Sequence, residues 1–444
     1  MAANKLNSRH YYLSKDKGFA YSINTISKIS FKIFLMNIAL IIFILTYIII
    51  GIQNIPKLHI NRPAGALLGA VAMVLFGVLS IKEAYAAIDL DTILFILGMM
   101  IIVAYTEVSG FFQIAEDFIL KSAKSASSLL LFLIISSGFL SSLFMNDTIC
   151  LILTPIVLRL TRRVSLNPIP YLIALATSSN IGSVMTIIGN PQNMLIGLYS
   201  KIPFLEFLMI LAPVTIIGLI LNFLVIRFIY RKEIASKPIV IIGNDSSRII
   251  VQKELLFVSF FALALLLVFL SLGFNPPSVA ITLACLLILA GATKPRKALE
   301  EVDWTLLLFF SGLFIVMKGV EKSGIINSIF TYVQHYLSDG RLKQVVNLSL
   351  GSTVVSNIVS NVPAVILFSH FFTNLANSKL AWLTLAMSST LAGNLTIIGS
   401  VANIIVFESA RDEVKVSFFE YLKVGLPLTF LSLLLGVFVL AFLG

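Results

Sequence analysis

Apolar residues run almost without interruption through 33–51, 204–226, 255–272 and 418–443. Each run is about 20 residues long, the length of helix that crosses a ~30 Å hydrocarbon layer. The runs are continuous, with none of the period-two alternation of a barrel strand. Backbone groups find no water in lipid, so only helices and closed barrels cross it, and this pattern selects helices. The pattern therefore predicts an all-α polytopic membrane protein. Residues 1–32 are polar and long, with no small-residue cleavage pattern after the first apolar run, so they read as a tail rather than a cleavable signal.

The same features occur twice, in the same order, at a spacing of roughly 210–220 residues. Pro63-Ala-Gly-Ala-Leu-Leu matches Pro277-Ser-Val-Ala-Ile-Thr, and Gly98…Glu107-Val-Ser-Gly110 matches Gly312…Glu321-Lys-Ser-Gly324. Met145-Asn-Asp-Thr matches Ser360-Asn-Val-Pro, and the stretch from Ser178 to Gly189 matches that from Ser388 to Gly399. Phe204-Leu-Glu-Phe-Leu matches Phe418-Phe-Glu-Tyr-Leu. The predicted organisation is a basic tail (1–32), a first transmembrane repeat (33–230), a polar linker (231–254) and a second repeat (255–444). Each repeat reads as three spans, a short amphipathic stretch, an apolar segment with polar residues at its middle, a Gly/Asn-interrupted span and a long final span. That is the sequence form of two inverted repeats, each with about five transmembrane helices, a re-entrant hairpin and a broken helix.

Polar residues at membrane depth cost free energy unless they are paired or face a cavity. Four clusters stand out, two per repeat. The first is Asn146-Asp147-Thr148, where Asp147 is an acid in the middle of an apolar segment. An Asp at a helix centre costs about 2.5–3.5 kcal/mol to insert, so it is rarely kept for packing alone. The second runs from Asn180 through Thr186 and Gly189-Asn190-Pro191 to Asn193. Gly and Pro break a helix there, freeing carbonyls for a cation and presenting a half-helix N-terminus to an anion. The counterparts are Asn361 with Pro363, and Asn394, Thr396, Gly399 and Asn403. Asp147 faces Val362 in the repeat, so only the first half carries the titratable group.

Composition narrows the reading. Of 444 residues, 58% are hydrophobic and only 12% charged, against about 25% charged in soluble domains. The formal charge of +11 is read as orientation and lipid headgroups, since no nucleic-acid module is present. Basic clusters at 159–163, 227–237 and 294–297 fall on one side, the cytoplasm, if each repeat has five spans and a hairpin. The same count puts residues 1–32 outside although they hold six Lys/Arg, so the two orientation signals conflict. Cys150 and Cys285 read as buried small hydrophobes, and the four His share no ligand spacing, so no metal site is expected. Glu206 and Glu420 match across the repeat as helix N-terminal acids that favour the dipole.

At these residues the chain resembles a known group. Asn146-Asp-Thr-Ile-Cys-Leu-Ile-Leu-Thr-Pro155 looks like the first-hairpin motif of arsenite-permease-like and citrate-transporter-like proteins of the ion transporter superfamily, related to the divalent anion:sodium symporters. Asn180-Ile-Gly…Thr186-Ile-Ile-Gly-Asn-Pro-Gln-Asn193 and Gly393-Asn-Leu-Thr-Ile-Ile-Gly-Ser-Val-Ala-Asn403 are similar to its two broken-helix motifs. The resemblance covers about 33–444. It implies a homodimer with a scaffold part and a transport part that moves elevator-fashion. It also implies that the tips and broken loops surround a small anionic solute and coupling Na+ or H+, with Asn146, Asp147 and Gly189 as the Na+ position. The sodium-dicarboxylate branch carries Ser-Asn-Thr at both tips. Met-Asn-Asp and Ser-Asn-Val stand here, which argues against a dicarboxylate. No thiol cluster points to arsenite.

The expected function is ion-coupled secondary transport of a small anion across the cell's inner membrane, with no cofactor beyond the coupling ion. The alternatives are a Na+/H+ antiporter and an efflux permease for arsenite or another oxyanion. A membrane-embedded enzyme would need several convergent acids, bases or metal ligands, and one intramembrane acid does not supply them.

Overall fold

The computed structural model describes residues 33–50, 62–234, 251–290, 295–324 and 340–442, apart from 373, 374 and 376. The tail 1–32 and residues 235–250 of the linker lie outside the described residues, as does the amphipathic stretch expected near 324–342, save its ends. Among the described residues every extended element is a helix.

Among the described residues the helices recur in the same order in both halves, the position that would match the helix Phe111–Ser122 lying outside them. The first half contains α1 (Ile33–Ile50), α2 (Arg62–Leu75), α3 (Ile81–Ala87), α4 (Leu90–Val108) and the amphipathic α5 (Phe111–Ser122). A hairpin follows, α6 (Ala126–Leu143) and α7 (Asn146–Arg163), then a broken helix, α8 (Ile169–Ser183) and α9 (Pro191–Ser200), and the long α10 (Phe204–Ile229). The second half gives α11 (Lys253–Ser271), α12 (Pro276–Ala290), α13 (Pro295–Glu300) and α14 (Trp304–Ser323). Its hairpin is α15 (Arg341–Val359) with α16 (Asn361–Phe372), its broken helix α17 (Ser378–Ala392) with α18 (Val401–Ser409), and its last helix α19 (Phe418–Phe442).

Among the described residues seven helices, namely α1, α4, α6, α10, α11, α14 and α19, are long and apolar enough to cross a membrane. On α10 a stripe of Met209, Ile216, Ile220, Leu224 and Phe228 stays exposed. On α19 the stripe is Phe419, Leu426, Phe430, Leu434 and Phe438. Large apolar residues repeated every three, four or seven positions on an open helix face are what a lipid-facing surface requires. The chain is an integral, multi-pass membrane protein.

Packing divides the chain differently from the sequence repeat. One compact unit comprises the described residues of Met1–Ile88 and Leu308–Thr331; the other comprises those of Asp89–Leu307 and Tyr332–Gly444. In the first, α14 meets α2 so closely that a Cβ on Gly312 would lie 2.8 Å from the Ala66 carbonyl carbon. Tyr47 of α1 points its hydroxyl at the Met317 sulfur of α14, 4.0 Å away. The second unit contains the mirror arrangement, in which a Cβ on Gly98 of α4 would lie 2.6 Å from the Ala280 carbonyl carbon of α12. The fourth helix of each half thus packs on the second helix of the other, through a glycine that lets two backbones touch. All the polar clusters of interest lie in the second unit.

Candidate functional site

In the first half, α6 and α7 are joined by Phe144 and Met145 alone. Asn146 opens α7, and Asp147, 9% exposed, sits in its first turn, where the helix dipole favours a carboxylate. The broken helix beside it has a sequence cause. Asn190 caps α9 by accepting from the Asn193 amide at 2.8 Å, and Pro191 occupies the first helical position. Gly189 cannot carry a side chain, because its Cβ would collide with the Ser183 carbonyl.

The break leaves carbonyls at the end of α8 without helical partners. The chain meets them itself. Asn193 Nδ2 lies within 3.0–3.3 Å of the Ser183, Val184 and Thr186 oxygens. The second half repeats the device: Asn403 Nδ2 donates to the Gly393 oxygen at 2.7 Å and the Thr396 oxygen at 3.0 Å, and reaches the Tyr421 hydroxyl at 2.9 Å. The carboxamides thus stitch the breaks, and fewer free carbonyls remain for a cation than the sequence alone suggests.

Asn180, near the end of α8, joins the two halves. Its Nδ2 donates to Asn394 Oδ1 at 2.9 Å and Asn403 Oδ1 at 3.0 Å. Its Oδ1 accepts from Asn146 Nδ2 and Ser400 Oγ, each at 3.0 Å. Both protons and both lone pairs of one amide are used. Its repeat counterpart Thr390 plays the mirror part with a shorter side chain, accepting from Asn190 Nδ2 at 3.4 Å and Gln192 Nε2 at 3.3 Å. The halves also interlock through helices: α7 packs against α18, and α16 against α9.

The structure therefore brings Asn146, Asn180, Asn190, Asn394 and Asn403 into one buried network, with Thr186, Gly189 and Asn193 holding the first break. Thr186 Oγ1 donates to the Ser142 oxygen at 2.5 Å, tying break to hairpin. Thr396 Oγ1 donates to Asn357 Oδ1 at 3.3 Å in the corresponding place. Pro191, Pro363 and Gly399 are buried at their helix starts or breaks, and Thr148 is half-buried in α7. Gln192, Asn357 and Ser400 belong to the polar clusters of the sequence without a binding role assigned to them, and Thr390 and Tyr421 were not singled out at all. The signal for Thr390 was its alignment with Asn180.

Among the described residues, Asp147 and Glu116 are the only charged residues that are buried, and Glu116 is bound by Arg159 at 2.8 Å. No group of three or more His, Cys, Asp or Glu gathers for a metal there. The network is made of amides, hydroxyls and helix starts, with one carboxylate. Four buried oxygens in and beside it, Asn146 Oδ1, Asn193 Oδ1, Asn361 Oδ1 and Ser356 Oγ, have no partner among the described residues. A cavity of about 600 Å³ reaches the break at Ile187 and is rimmed by Asp89, Asp91, Tyr199 and Lys201. Tyr199 Oη donates to Asp89 Oδ2 at 2.9 Å across it.

A family model described as citrate transporter matches residues 38–392. The silicon efflux transporter LSI3 of Oryza sativa subsp. japonica is 31% identical, covering 86% of this chain and 93% of that protein. The putative transporter arsB of Dictyostelium discoideum is 26% identical over 91% and 92% of the two chains. A 46 kDa membrane protein of Mycobacterium leprae is 29% identical over 90% and 96%. Among solved structures, the YdaH transporter of Alcanivorax borkumensis, described as having an unusual topology, matches with a TM-score of 0.55 at 12% identity, over 92% of this chain and 97% of that one. At that identity the likeness speaks to the fold alone.

Proposed function

The chain belongs to the citrate transporter family, and from that premise we propose that it moves a small anion across the cell's inner membrane by ion-coupled secondary transport. The observation that carries the proposal is the Asn180 junction. One amide ties a hairpin tip and its own broken helix to the broken helix of the other half, which is what a shared site between two repeats needs. Four helices, α7, α9, α16 and α18, begin at these tips and breaks, and their N-terminal dipoles favour negative charge without a buried Lys or Arg. The repeats are inverted and carry the solute elevator-fashion, and the spans outside the site form a homodimeric scaffold.

Asp147 is the group that senses the coupling ion. Na+ or H+ joins the solute at the first tip, near Asn146 Oδ1, Asp147 and the Gly189 carbonyl. Coupling follows when ion and solute favour the same conformational state. Asp147→Asn in reconstituted vesicles should abolish the Na+ or pH dependence of transport while leaving the protein folded. Unchanged transport with unchanged dependence would count against the proposal. Proton flux on adding Na+ with no solute present would select a Na+/H+ antiporter instead.

The unpartnered acceptors favour a second reading, a hydroxylated oxyacid that donates hydrogen bonds. The rice relative is a silicon efflux transporter, and buried amide oxygens suit such a cargo. Binding raises the melting temperature by mass action. A thermal-shift series of citrate, phosphate, silicic acid and arsenite, with and without Na+ and across pH, separates the two readings.

A further inference from the structure

We propose that the second hairpin tip, residues 356–363, is the moving gate of the transport site, while the first tip is its fixed wall. The inference rests on the transport reading above, and its evidence is that near the tip, among the described residues, the second hairpin is bonded to its broken helix through Asn357 alone, whereas the first is bonded through Ser141, Ser142 and Asn146.

The hairpin helices α6 and α15 each lie along a broken helix, α8 and α17. Far from the tips the two halves match. Ser137 and Ser178 share a hydrogen bond at 2.5 Å in the first half, as do Ser352 and Ser388 in the second. One turn closer they part. Ser141 and Ser179 are bonded at 2.6 Å, whereas Ser356, the counterpart of Ser141, has a buried hydroxyl without a partner among the described residues. At the tip the contrast lies in the bonds made, since Asn146 Oδ1 and Asn361 Oδ1 are both buried without a partner among the described residues. The Asn146 amide donates to the Gly189 oxygen at 2.9 Å. The Asn146 oxygen accepts from Ser179 Oγ at 3.1 Å, and its side chain reaches Asn180 at 3.0 Å. Asn361 makes none of the corresponding bonds among the described residues, and its Oδ1 is buried without a partner. The cause is visible in the sequence. Thr390 stands where the first half has Asn180, and it is too short to serve both a break and a tip.

The backbone agrees. Phe144 and Met145 turn the first hairpin with ordinary extended values, φ −121° and −58°. Ser360 turns the second at φ 73°, ψ 161°, a region that glycine occupies and other residues enter only under strain. Backbone strain acts at the second tip alone, and that tip holds two unmet oxygens, Ser356 Oγ and Asn361 Oδ1, against Asn146 Oδ1 at the first; both raise the free energy of the closed second tip. A segment so placed is the one that opens, and a solute that fills its acceptors would favour closure.

Hydrogen exchange of the full chain in lipid nanodiscs, read by mass spectrometry without solute, tests this directly. Amides in 356–366 should exchange at least tenfold faster than those in 141–151. Equal protection, or faster exchange at the first tip, overturns the proposal. Thr390→Asn should slow exchange at the second tip about fivefold, because the longer amide can reach Asn361. A folded Thr390→Asn variant with unchanged exchange also overturns it. The wild-type comparison stands if that variant does not fold. Because exchange is read with no solute and no flux, its outcome is separate from success or failure of the transport reading.

Discussion

On helices of matching order, the first half sets Asn146, Asp147 and Asn180 where the second sets Asn361, Val362 and Thr390. The backbones follow one plan because lipid dictates it: span lengths, hairpin and break recur whatever the side chains at the tips. The chemistry does not recur. The first half holds the acid and the longer amide, and the second supplies acceptors and a strained turn. The two halves thus share an architecture and differ in the side chains at their tips, because helix length and breaks do not depend on which polar residue the tip carries.

The contrast is sharpest where hairpin and broken helix cross. In the first half α6 and α8 meet at Gly138 and Gly182, and a Cβ on Gly182 would fall on the Gly138 backbone. In the second half the crossing has Thr353 and Ala392, and Asn357 bridges the wider gap by donating to both carbonyls at 3.0 Å. Backbone pressed on backbone cannot yield, so Gly182→Ala should cost about 3 kcal/mol or more, the upper end of overpacking. Ala392→Gly should cost about 1 kcal/mol, the helix propensity difference. Melting temperature and monodispersity in detergent check both. Equal losses would mean that the two crossings are equally tight.

Next comes the junction. Asn180→Ala removes four hydrogen bonds of one side chain. Intramembrane bonds average about 0.6 kcal/mol, so a loss of about 2–3 kcal/mol is expected. Thr390→Ala removes two long ones and should cost less than about 1 kcal/mol. If the two variants melt together, the half-to-half asymmetry has no energetic meaning. The breaks themselves should behave alike. Asn193→Ala and Asn403→Ala each strip a carboxamide from several carbonyls and should each cost about 1–2 kcal/mol. A difference larger than that would show that the bonds made by Asn403 and not by Asn193, to the Tyr421 hydroxyl and from Asn180, carry weight of their own.

Much of this was legible in the chain. Continuous apolar runs gave the long helices, and Asn190-Pro191 announced the restart of a broken one. Five collinear matches gave the repeat. Two things were not legible. The exchange of α4 and α14 between halves depends on which backbone receives Gly98 and Gly312, and no local periodicity encodes a partner. The stitching of the breaks by Asn193 and Asn403 was hidden because a polar residue beside a break reads equally as a ligand or as a patch for freed carbonyls. In lipid the patch is needed whatever else the residue does, since no water can take its place.

The smallest asymmetry lies outside the membrane. In the first unit Glu83 of α3 accepts from Lys322 at the end of α14 at 2.7 Å, and it also closes a capping box with Ser80. The positions that the repeat pairs with Glu83 and Lys322 are Lys297 and Val108, which cannot form such a pair. The hydrogen bond from Lys322, followed by those from Ser80, lowers the Glu83 carboxyl from 4.5 to about 2. A carboxyl held below its ordinary value stabilises the fold above pH 4.5, and that contribution is lost as pH falls from there through 2. Both partners are exposed, however, and solvent screens such pairs until little remains. Lys322→Ala should therefore leave the melting temperature at pH 7 unchanged within error and slightly flatten its decline below pH 4.5. A clear loss at pH 7 would mean that α3 is held to α14 by this ion pair rather than by its cap and packing. An asymmetry in water would then matter as much as one in lipid, against the difference in desolvation that separates the two settings.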